Sequence, residues 1–273
     1  TSIEETTTQL LTIAKKQRKE FLEPHKGLLG PLKKLLQPDI GLSIFNNHIF
    51  TTTHTVEYAF GKQEDLSKSA FTFGKAVGDY IGAVMALFQI DKRITMTKPM
   101  GLPGRIEMRD IKYKTLFTRC GIHSCHMQIS AGLILILANL NFTTYILSGL
   151  LPASSHLLFR MKFITAFHAN SSLDLLQQKL YTSDNAPPSV ILFFNKLLGS
   201  DDSKWLKKRR PLRNLLTHYL LDDKLVSQIP SNGSYIDAIE CYCGGLSFAE
   251  VNRLMDRYIT NSANFIEALF NLR

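Results

Sequence analysis

Arg213, Asn214 and His218 lie in WLKKRRPLRNLLTHYLLDD, residues 205–223, just behind the consecutive cations Lys207, Lys208, Arg209 and Arg210. These side chains can do chemistry on a phosphate. An imidazole titrates near neutral pH and can take or give a proton. A guanidinium stays charged and presents a fork that matches two phosphate oxygens. On a straight helix, residues four apart are separated by about 40° in azimuth and residues five apart by about 140°. Asn214 and His218 therefore share a face, and Arg213 borders it. Burying an arginine without a partner is costly, so Arg213 must project into a groove or be answered across a subunit interface. A two-fold axis beside this helix would gather two guanidiniums and two imidazoles around one cleft, a setting that suits a phosphate.

The run Arg213-Asn214-Leu215-Leu216-Thr217-His218 resembles the R-x-x-x-x-H motif of the HEPN (higher eukaryotes and prokaryotes nucleotide-binding) superfamily, with its polar residue directly after the arginine. FRMKFITAFHANSSLDLL, from residue 159, looks like the helix that precedes the motif helix, and the basic lead-in is similar. The resemblance covers residues 120–273 and leaves 1–119 without a counterpart. It implies a C-terminal HEPN-like helical bundle that acts as a homodimer on RNA, a metal-independent endoribonuclease of toxin or phage-defence type. It also implies no cofactor, and an antitoxin or regulatory protein as a candidate partner. In that reading the nucleophile is the 2′-hydroxyl of the RNA. His218 serves as acid or base, Arg213 clamps the charge on the phosphorane, and Asn214 orients the histidine or the phosphate. Members of the superfamily that only bind RNA or protein make a non-catalytic module the alternative.

Other constellations carry less. Arg119 and His126 in RCGIHSCH satisfy a looser version of the same motif. Cys120, His123, Cys125 and His126, with Cys241 and Cys243, are ligand-type side chains, but not at the paired spacing of a closed zinc site, so no metal is expected. His168, among aromatics in FITAFHANSS, reads as a core histidine bonded to backbone. His48 and His54 have no carboxylate at suggestive spacing. G-x-S-x-G, P-loop, G-x-G-x-x-G and H-E-x-x-H patterns are absent from the sequence, which removes support for serine-hydrolase, NTPase, dinucleotide and zincin readings.

The elements that must position these residues read as all-α. In 273 residues, 45% are hydrophobic and 20% charged, enough to bury a core without disulfides. The formal net charge of +9 favours polyanionic partners. Two local pairs of cysteines, and an opening without basic, apolar and small-residue blocks, give the expectation of a cytoplasmic protein. Residues 1–119 read as an N-terminal helical region of unknown role, with helices over 3–22, about 43–60 and 65–90, broken by TMTKPMGLPGR at 95–105. The stretch from Cys120 to Phe159 contains no Asp, Glu, Lys or Arg. Within it, 130–151 is long enough to cross a bilayer. Asn139, Asn141, Thr143 and Thr144 interrupt it, so a core or dimer-interface helix is expected, with a membrane-associated protein as a further alternative. Helices are expected over 154–181, over VILFFNKLLG, over 203–221 carrying the motif, and over 247–271. Leu215, Leu216 and Leu220 are assigned to the core or the dimer contact. Ser247 and Glu250 form a capping box for the last helix.

Overall fold

The computed structural model describes residues 3–22, 38–60, 72, 75, 104–119, 127–153, 155–182, 187–218, 229 and 234–272. The expected helix over 65–90 and the break at 95–105 lie almost wholly outside them. In chain order the elements are α1 (Ile3–Leu22), β1 (Ile40–Phe45), β2 (His48–Thr52), α2 (Thr53–Phe60), β3 (Ile106–Ile111), α3 (Tyr113–Thr118) and α4 (Met127–Asn141). A π-helical turn, Phe142–Leu147, and a short helical turn, Ser148–Leu150, continue α4. Then come α5 (His156–Tyr181), α6 (Pro188–Leu198), α7 (Asp201–Lys207), α8 (Arg210–His218), α9 (Tyr235–Tyr242) and α10 (Phe248–Leu269).

The chain is mostly helical, but the all-α expectation is corrected by a three-stranded antiparallel sheet in the order β2-β1-β3. The helical run expected from residue 43 is in fact the β1–β2 hairpin followed by the shorter α2. Its turn is Asn46-Asn47, both at positive φ, which joins Phe45 directly opposite His48. Two consecutive left-handed residues match the right-handed twist of the flanking strands, and asparagine tolerates that conformation. β1 is the buried middle strand. β3, along the other edge, keeps Ile106 and Met108 exposed.

α4 is apolar nearly all round and is buried along most of its surface, with Leu135 half-buried and Asn139 exposed on the remaining side. It packs against α1, β2, α5 and α10. The helical run Met127–Leu150 is long and apolar enough to cross a membrane by length and composition. Here Leu133, Ile134, Leu137 and Leu140 form the centre of the core, so little of α4 is left for the dimer contact expected of it. One hydrophobic core runs from Ala14 through Leu42 and Ile49 to Ile266 and Phe270, joining the segments on either side of residue 120.

A polar knot ties the hairpin to this core. Asn141 donates to the Ile49 carbonyl and to Glu267 Oε1, both at 3.0 Å. His48 Nδ1 meets the same carboxylate oxygen at 2.6 Å, and its ring stacks on Tyr145 of the π turn at 4.2 Å. Glu267 is buried, so these bonds replace the hydration it gives up. α10 begins as expected: Ser247 and Glu250 form the reciprocal capping box, and Val251, Met255, Tyr258 and Ile266 point inward at helical spacing.

Candidate active site

The expected continuous helix over 203–221 is broken. α7 ends at Lys207 and α8 begins at Arg210, because Pro211 has no N–H to donate to Lys207 and its ring clashes with that carbonyl. The break turns α8 onto α5, where Leu212 and Leu216 are buried. Leu215 is partly buried against the same core, and Leu220 lies outside the described residues.

This anchoring presents Arg213, Asn214 and His218 together at the surface of one chain. Arg213 Nη1 donates to Asn214 Oδ1 at 2.9 Å and lies 3.3 Å from His218 Nε2. The azimuth between the arginine and the histidine is spanned by the length of the arginine side chain, so one protomer suffices to bring them into contact. Since Nη1 can only donate, Nε2 is the accepting nitrogen and the ring carries its hydrogen on Nδ1. The guanidinium carbon sits 5.8 Å from the centre of the Phe167 ring on α5. Arg213 Nε is buried without an acceptor, and among the described residues no carboxylate lies within ion-pair distance of this guanidinium. A half-buried positive charge without a counter-ion among the described residues favours an anion by its electrostatics.

The basic lead-in is not one continuous strip. Lys207 turns to Asp174 on α5 at 2.6 Å. Arg209 folds inward over Trp205, 5.0 Å from the ring centre, and against Gly244. Gly244 has φ +69°, and a Cβ there would collide with the Arg209 guanidinium. Arg209 thereby pins the α7–α8 corner to the turn after α9. Lys208 and Arg210 remain exposed and available to an anionic chain.

His168 is where the sequence reading fails. It is exposed on α5 rather than buried, with its ring edge-on to Phe167 at 5.9 Å. Its pKa is lowered from 6.5, first by the partial loss of hydration and then by the charge of Arg213. The signal was in the periodicity. Phe163, Ala166, Asn170 and Leu173 face the core, and residue 168 falls about 160° from residue 166.

Of the other candidates, Cys243 is buried, which pushes its thiol up to about 12 and makes it a poor nucleophile. Cys120, His123, Cys125 and His126 lie outside the described residues, and among the described residues no metal-ligating cluster of three or more occurs. His54 is a core residue in α2. Comparison of the chain with protein-family models, curated proteins and solved structures gives no match, so the site stands on its own geometry.

Proposed function

We propose that the protein is a metal-independent endoribonuclease of the HEPN type, acting in a toxin or phage-defence setting. The observation that carries this reading is the Arg213 guanidinium, in hydrogen-bond contact with both Asn214 and His218 and without a carboxylate partner among the described residues. A phosphodiester supplies the missing anion. On binding, its oxygens take the donors of Arg213, which releases Nε2 of His218 for proton transfer. The nucleophile is the 2′-hydroxyl already present in RNA, so what the site adds is proton transfer, to which the His218 imidazole contributes, and charge stabilisation by the Arg213 guanidinium. The products are a 2′,3′-cyclic phosphate and a 5′-hydroxyl. Asn214 holds Arg213 in reach of both groups. Lys208 and Arg210 contact flanking phosphates, and a second copy of the chain closes the open side of α8.

The test is cleavage of a single-stranded RNA in EDTA by wild type, Arg213→Ala and His218→Ala. Wild type cleaves and leaves a cyclic phosphate, and each variant is slower by on the order of a hundredfold or more. Alanine favours the helical state, so α8 persists. Activity abolished by EDTA, or full activity in folded His218→Ala, refutes this reading. RNA binding without cleavage by wild type establishes the non-catalytic module instead.

A further inference from the structure

We infer that His168 is a second proton-transfer residue of the same site, the base that removes the 2′-hydroxyl proton while His218 delivers a proton to the departing 5′-oxygen. The inference rests on the ribonuclease reading and adds a residue from another helix to it.

The placement comes first. Phe167 forms a floor between the two helices: the Arg213 guanidinium lies 5.8 Å from its ring centre, and the His168 ring lies 5.9 Å from it on the adjoining position of α5. His218 touches the same guanidinium from the end of α8. Arg213 thus touches the imidazole of α8, and its charge reaches the imidazole of α5 across the Phe167 ring they share as a neighbour. The second observation is availability. His168 is exposed and, among the described residues, neither of its nitrogens is committed to a hydrogen bond or an ion pair. Loss of hydration and the Arg213 charge both disfavour its protonated form, which keeps it a base at neutral pH.

The chemistry calls for such a pair. In-line displacement at phosphorus puts the attacking and leaving oxygens on opposite sides, so one imidazole is poorly placed to serve both. The neutral His168 ring accepts the proton from O2′ as the O2′–P bond forms. The P–O5′ bond breaks, and His218, which takes a proton from water at Nε2 once the bound phosphate has drawn the Arg213 donors away, gives that proton to O5′. His168 leaves the step protonated and His218 neutral, and exchange with water restores both. Arg213 holds the non-bridging oxygens between them throughout.

The roles separate with a substrate whose 5′-bridging oxygen is replaced by sulfur, because a thiolate departs without a proton. On ordinary RNA, His168→Ala is expected to lose on the order of a hundredfold in cleavage rate. Its affinity for the same strand carrying an uncleavable 2′-deoxy position stays unchanged. On the sulfur substrate, His218→Ala recovers to near the wild-type rate and His168→Ala does not. NMR titration of the full chain gives a His168 pKa below 6.5 that rises in Arg213→Ala. His168→Gln serves as the folded control if the alanine variant is unstable. Wild-type cleavage together with full activity in His168→Ala or His168→Gln overturns this inference alone, as does equal recovery of both variants on the sulfur substrate. Absence of cleavage by wild type overturns the ribonuclease reading and this inference with it.

Discussion

Acidification is expected to destabilise the fold through His54, a residue far from the motif helix. Its ring is 2% exposed in α2, Nε2 meets the Asp39 carbonyl at 3.3 Å, and Nδ1 is buried without a partner. Burial lowers its pKa from 6.5 to about 4, only partly opposed by the carbonyl and the charge of Asp39. The imidazole is thus neutral in the folded chain, whereas the unfolded chain protonates it near 6.5. Between those values the unfolded state binds more protons, so stability falls as pH drops through the window. Taking one pKa unit as about 1.4 kcal/mol, going from about pH 7.5 to about pH 5 costs about 2 kcal/mol at this one site. In His54→Gln the amide nitrogen occupies the place of Nε2 and donates to the same carbonyl, yet cannot titrate. Urea unfolding at both pH values measures the difference. The variant's loss of stability on acidification should be smaller than that of wild type by about 2 kcal/mol. Identical pH dependence in the two proteins would refute the burial of a neutral His54, and with it the packing of α2 against Tyr113 and Phe117.

Gly244→Ala should destabilise by about 1–2 kcal/mol from its left-handed backbone alone, and more once Arg209 is displaced. Gly245→Ala, at φ +91° with open space where its Cβ would stand, isolates the backbone part, so equal denaturant midpoints would disprove the Arg209 contact. Lys208→Ala with Arg210→Ala should flatten the log–log salt dependence of single-stranded RNA binding by about 0.7 for each phosphate no longer neutralised. Lys207→Ala, already paired with Asp174, should change that slope less, and the reverse order would refute the division of the basic stretch.

Legibility in the sequence followed how local each signal is. The last helix was readable because Ser247, Glu250 and the apolar stripe lie within a few turns of one another. The 130–151 segment was readable as interior because its polar residues stand at intervals, and Asn141 finds partners in Ile49 and Glu267. Neither partner could be named in advance, since they lie 92 and 126 residues away. The hairpin was missed because β1 is short and buried on both faces, which removes the alternation that marks a half-exposed strand. Asn46-Asn47 was its one local sign. At the site, spacing alone placed Asn214 and His218 on one face. It placed Arg213 too far round, because azimuth describes the backbone and ignores the reach of a long side chain. The inward turn of Arg209 depends on Trp205 and Gly244 meeting across the α7–α8 break, a tertiary event triggered by Pro211.

The contact between Arg213 and His218 within one chain changes what a dimer would have to supply. Were each catalytic unit assembled from the arginine of one protomer and the histidine of its partner, a mixed dimer of Arg213→Ala and His218→Ala chains would contain one intact unit. Activity would then return on mixing two inactive proteins. With the 3.3 Å contact made in cis, every unit in the mixed dimer lacks one group, and no activity returns. On the proposed reading a second copy would then close the open side of α8, restricting water and positioning the strand, while the His218 proton and the Arg213 charge would come from one α8. Unfolding the two variants together, refolding them and assaying RNA cleavage decides between these arrangements. We expect the mixture to remain as slow as its components, and recovery toward about a quarter of the wild-type rate, half the dimers being mixed and each carrying one intact unit of two, would show that the arginine and histidine act across the interface.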